Sequence, residues 1–167
     1  MTDQELWHEL EEFPDYAVSN LGVVGNMKSG MTRKPSINQQ GIVKMSLYKN
    51  GKELHTRSVA VLVAEAFVEG QTDLFNTPIH LDGDKMNCRA DNLMWRPRWF
   101  AVQYHKQFFE SAFRHAEVPL IELDSHQTYP NVMQACMANG LLHGDVYRSF
   151  TQGYPVPFTL QEFRILE

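Results

Sequence analysis

The chain has 167 residues, with 20 Asp and Glu against 15 Lys and Arg, a formal net charge of −5 and 43% apolar residues. That composition can bury a core and excludes fibrous, collagenous and disordered classes; with no apolar run long enough to cross a bilayer, it describes a soluble cytosolic protein of one domain or two to three small modules. Cys88 and Cys136 stand far apart in no metal-binding spacing, and the acidic start MTDQELWHELEEF lacks the zones of a signal peptide.

From Tyr16 to Leu47 short β-branched runs alternate with turn signals at Asn20-Leu21-Gly22, Ser29-Gly30 and Gln39-Gln40-Gly41, which predicts strands. Lys49-Asn50-Gly51-Lys52 then predicts a hairpin turn, because both central positions need positive φ. The apolar spacing Val59, Leu62, Val63, Ala66, Phe67 predicts a helix stopped by Gly70. Thr77–Leu81 and Asn92–Trp95 read as two short strands of a hairpin, with Asp82-Gly83-Asp84-Lys85 as a tight turn. Pro97 suits a first helical turn, and Ala101, Tyr104, Phe108, Ala112 and His115 or Ala116 continue at helical spacing, so a long helix is expected to Ala116. Beyond Glu117-Val118-Pro119 the pattern predicts a strand at Leu120–Leu123 and a turn at Asp124–Gln127. A helix capped by Asn131 follows and closes at Asn139-Gly140, and a second short helix spans Leu141–Phe150 before Gln152-Gly153. Two short helices joined by a glycine turn resemble a helix-turn-helix. The expected class is α+β, in modules 1–56, 57–116 and 117–167.

Charge is distributed in blocks. Residues 1–20 hold six acids and no base, whereas 21–60 hold seven bases, Lys28, Arg33, Lys34, Lys44, Lys49, Lys52 and Arg57, against Glu53 alone. A second basic block contains Arg89, Arg96 and Arg98, and the last helix carries Arg148 beside Tyr147 and Gln152. Basic clusters of this kind bind the DNA backbone by releasing counterions even when the whole chain is acidic.

The segment Pro78-Ile79-His80-Leu81-Asp82-Gly83-Asp84-Lys85-Met86-Asn87, followed by Asp91-Asn92-Leu93-Met94-Trp95, resembles the HNH nuclease core. Val61–Phe67 is similar to the helix that precedes that core. Leu6-Trp7 and Phe13–Gly22 resemble the small DNA-binding module ahead of it in phage homing endonucleases, and 118–165 resembles the helix-turn-helix module behind it. The resemblance implies a ββα-metal fold, double-stranded DNA as partner, and action in the cytoplasm of a bacterial host, away from membranes. It makes His80 the general base, with Asn87 and Asn92 bracing the turn and second strand.

The family's metal ligands fall on Ile79 and Ala101, which offer no donor atom. Its helix histidine before the core falls on Ala60, its second asparagine on Cys88, and its later helix histidine on Tyr104. His80 is therefore read as a vestigial base and no cofactor is expected; Mg²⁺ or Mn²⁺ would serve an active form, with Asp82 and Asp84 as the ligands of a rebuilt site. Three functions follow in different classes. The first is a cleavage-deficient DNA-binding protein acting by occupancy, as a phage regulatory or accessory factor. The second is an active nicking endonuclease using His80. The third is an interaction module for a phage or host protein such as RNA polymerase or a defence component, using the acidic blocks and the aromatics Trp99, Phe100, Phe108, Phe109 and Phe113.

Overall fold

The computed structural model describes residues 4–109 and 117–166. It has α+β architecture with small antiparallel sheets, as the sequence led us to expect, and its contacts divide into two compact units. One comprises residues 1–80 and 84–98; the other comprises 81–83 and 99–167.

In the first unit β1 (Trp7–Glu9), β2 (Tyr16–Ser19), β3 (Val24–Asn26) and β4 (Met31–Thr32) form an antiparallel sheet in chain order. A second sheet pairs β5 (Ser36–Ile37), β6 (Val43–Lys49) and β7 (Glu53–Ser58). Along β6, Val43, Met45 and Leu47 are buried, while Lys44, Ser46 and Tyr48 alternate to the other face, as the two-residue period of a strand requires. The hairpin to β7 turns at Asn50 and Gly51, with φ of 51° and 69°, the positive values expected of that pair. Then come α1 (Val59–Phe67), β8 (Thr77–His80), a 3-10 turn at Ala90–Asn92 and β9 (Leu93–Arg96), with β8 and β9 paired from Thr77–Arg96 to His80–Leu93. Helix α1 ends at Phe67, short of Gly70, because Val68 already takes an extended conformation.

One core joins β2, β3, β6, α1 and β9. Phe13, Tyr16 and Val18 meet Met45 and Leu47, the buried face of α1 (Val59, Leu62, Val63), and Leu93 and Trp95 of the hairpin. Each such side chain contributes roughly 1.5–3 kcal/mol by leaving water. The Trp95 indole also donates to the Val68 carbonyl at 2.9 Å. Residue 56, expected as a module boundary, lies in β7 inside this unit. The turn after β2 seals the arrangement: the Ala90 N–H donates to the Asn20 carbonyl at 2.8 Å, and a Cβ on Gly22 would stand 3.1 Å from the Cys88 carbonyl oxygen.

The second unit contains α2 (Arg98–Gln107, whose first residue belongs to the first unit), β10 (Leu120–Glu122), β11 (Thr128–Tyr129), α3 (Val132–Asn139), α4 (His143–Gln152) and β12 (Phe163–Ile165). The order β11–β10–β12 puts the last strand beside β10. Asn131 caps α3, its side chain accepting from the Gln134 N–H at 2.9 Å, and Gly140 ends it at φ 59°. Helix α4 begins at His143 rather than Leu141, because Leu141 is 2% exposed and belongs to the core with Val132, Cys136, Val146 and Phe163. Gln107, also buried, donates to the Leu141 carbonyl and accepts from the His143 N–H, so one amide ties α2 to the turn between α3 and α4. The expected continuation of the long helix through Ala112, Phe113, His115 and Ala116 lies outside the described residues.

Candidate functional site

His80 closes β8, 6% exposed, and its Nε2 lies 4.0 Å from the Cys88 Sγ. Burial pushes the Cys88 thiol up to about 11; a hydrogen bond from the Ala60 backbone acts against this, and the charge of Asp84 adds to it. Cys88 is therefore a neutral thiol at physiological pH, facing the Lys85 carbonyl at 3.7 Å. Two other positions singled out in the sequence, Ala60 and His80, thus each lie against Cys88. The Asn92 amide donates to the Asn87 carbonyl at 2.8 Å. The Asn87 N–H donates to the Asp84 carbonyl at 3.1 Å, and the Asp84 carboxylate accepts from the Met86 N–H at 2.9 Å.

A hard divalent ion needs carboxylate, carbonyl or amide oxygens. Ile79, paired with Met94 inside the hairpin, is fully buried and wholly alkyl, and Ala101, 4% exposed in α2, ends at a methyl group. Among the described residues no three His, Cys, Asp or Glu side chains converge as a metal-binding group. The residues at the ligand positions do not fit such an ion. Tyr104 is fully buried, and its hydroxyl donates to the Leu81 carbonyl at 2.8 Å. Phe108 covers the neighbouring Gly83, where a Cβ would come within 2.5 Å of the ring.

The basic residues fall into three groups. Lys28 pairs with Asp15 at 2.7 Å, Lys49 with Glu12 at 3.7 Å, Arg57 with both Glu12 and Glu65, Arg89 with Asp91 at 3.1 Å, and Arg148 with Asp145. Burial raises the Glu65 pKa, Arg57 opposes that shift and Glu12 adds to it. Arg33 lies over the Tyr16 ring at 5.7 Å, and Arg96 donates to the Trp95 carbonyl at 3.0 Å. Lys34, Lys44, Lys52 and Arg98 have no ion-pair partner among the described residues, and Lys34, Lys52 and Arg98 are exposed.

Sequence reasoning missed two features. The contact of Cys88 with His80 had a signal, since both residues flank the same predicted turn. A cavity of about 280 Å³ on α4, lined by Asp145, Arg148, Gln152, Tyr154, Pro155 and Pro157, had none beyond helical spacing, because its far wall is an irregular loop.

Residues 5–48 match the family model described as the NUMOD4 motif. DNA endonuclease I-HmuI of Bacillus phage SP01 is 30% identical over 172 residues, covering 92% of this chain and 98% of that one. Uncharacterized HNH endonuclease L245 of Acanthamoeba polyphaga mimivirus is 37% identical over 89 residues, 53% of this chain but only 26% of its own length. A second mimivirus protein, L247, is 34% identical with 23% of its length covered, so the chain matches about a quarter of either mimivirus relative. A solved structure described as "DNA binding and cleavage by the HNH homing endonuclease I-HmuI" superposes with a TM-score of 0.56 and 27% identity, over 96% of this chain and 98% of that one. With nearly the full length of a phage endonuclease matched in both sequence and fold, the chain belongs to the phage HNH homing endonuclease family.

Proposed function

We propose that this protein binds double-stranded DNA and occupies it without cutting, as a phage regulatory or accessory factor in the host cytoplasm. The observation that carries the reading is Ile79: a fully buried alkyl side chain stands where the family resemblance puts an oxygen ligand, directly before His80. Metal stabilisation of the phosphate transition state is worth several kcal/mol, and each ~1.36 kcal/mol is tenfold in rate. Without it, cleavage falls by orders of magnitude. Asp82 and Asp84 are poor replacements because, among the described residues, no group of three His, Cys, Asp or Glu side chains converges to hold an ion. Lys34, Lys52 and Arg98, unpaired among the described residues, supply phosphate contacts, and α3 with α4 serves as a helix-turn-helix reader.

The test is nicking of supercoiled plasmid and phage genomic DNA with Mg²⁺ or Mn²⁺. The natural chain and His80→Ala are expected to leave it intact, whereas Ile79→Asp combined with Ala101→Asn restores nicking. Cutting by the natural chain that disappears in His80→Ala overturns the reading.

A further inference from the structure

In a helix-turn-helix the first residues of the second helix ordinarily meet the base edges. Those of α4 are already committed. The His143 backbone N–H is held by Gln107, and its ring stacks on Tyr147 with centroids 6.2 Å apart. Gly144 has no side chain, and Asp145, only 11% exposed along its side chain, pairs with Arg148. The exposed stripe therefore continues through Tyr147, Arg148, Thr151 and Gln152. Thr151 spends its hydroxyl proton on the Tyr147 carbonyl at 2.7 Å, and Arg148 also donates to the Gly144 carbonyl at 3.3 Å. Gln152, the last residue of α4, is the one amide on this stripe, and among the described residues no hydrogen bond engages its side chain.

Gln152 also borders the cavity of about 280 Å³, whose opposite wall is Tyr154, Pro155 and Pro157. That volume is just below the ~300 Å³ at which small-molecule pockets begin, so it suits an inserted edge rather than a whole ligand. Tyr154 is 64% exposed, and the two prolines hold the wall in a restricted backbone conformation. An amide beside an aromatic ring and apolar proline faces matches one base pair: the amide pairs with adenine N6 and N7 in the major groove, while the apolar wall meets the methyl group of thymine.

Building on the DNA-binding reading above, we infer that sequence is read at the C-terminal end of α4, where Gln152 and the Tyr154–Pro157 wall select an A·T pair. The Asp145–Arg148 pair holds the guanidinium beside the same notch as a positioning group.

Selection from a randomised duplex library with the full chain tests this. The natural protein is expected to enrich a site, Gln152→Ala to lose roughly tenfold preference at one base pair within it, and Gln152→Glu to move that position from adenine toward cytosine, whose N4 amine a carboxylate accepts. A moved preference cannot come from misfolding. A site whose base preferences are unchanged in both variants overturns this inference and leaves the DNA-binding reading standing. If the natural chain enriches no sequence and binds no duplex, the DNA-binding reading itself fails.

Discussion

Glu122 is a carboxylate only 2% exposed at the end of β10, and it stays ionised because the following turn folds around it. The N–H groups of Asp124 and Ser125 donate to it at 3.1 and 2.8 Å, and the Ser125 hydroxyl donates as well. Burial pushes its pKa up, but those hydrogen bonds outweigh burial and leave it below the usual carboxylate value. A depressed folded-state pKa gives stability that is fully present above the unfolded value and lost as pH falls through the folded one. Glu122→Gln should therefore cost about 2 kcal/mol at neutral pH, and the gap from the natural chain should close on acidification; urea unfolding of the full chain across a pH series measures it. The sequence marked Asp124–Gln127 as a turn but gave no reason to attend to Glu122, since a lone carboxylate in a strand has no local pattern. His80, Asn87 and Asn92 could be singled out because they belong to a spaced motif. The Cys88 contact needed the folded turn.

At the level of elements, the helices and hairpins with strong local chemistry were legible. Asn50-Gly51, the apolar period of α1 and the Asn131 cap each carry their instruction within a few residues. Strands β1, β11 and β12 were not foreseen, because two- or three-residue strands have no period and take their identity from distant partners; β12 pairs with β10 across some forty residues of chain. The docking of the turn between β8 and β9 was equally silent. Gly83, at φ 78°, lies under the Phe108 ring with no space for a Cβ. Gly83→Ala is expected to destabilise the protein by roughly 1–3 kcal/mol through overpacking and a strained φ. Phe108→Ala in the same chain should recover the steric part, since only the clash and not the dihedral is relieved. Thermal melts of the single and double variants compare them.

For the whole molecule, the charge blocks legible in the sequence overstate the charge available to DNA, because folding pairs several bases with carboxylates. Arg57 is the clearest case, 28% exposed along its side chain and bound to Glu12 and Glu65. Only one step is lost per phosphate contact, with a slope of about −0.9 in log affinity against log salt. Lys52→Ala should make the salt dependence shallower by about 1, whereas Arg57→Ala should leave the slope unchanged and lower the melting temperature. Titrations of a labelled duplex at several salt concentrations, with melts in parallel, separate the two. The seat of Gly22 on Cys88 bears on how such proteins can be reassembled. A motif recognisable over residues 5–48 invites transplantation as a cassette, but its turn is fitted to a carbonyl forty residues beyond the motif's end. A fragment exchanged between relatives keeps this turn well fitted only if it carries Cys88 along with the motif, and recombination within this lineage should respect that longer unit of inheritance.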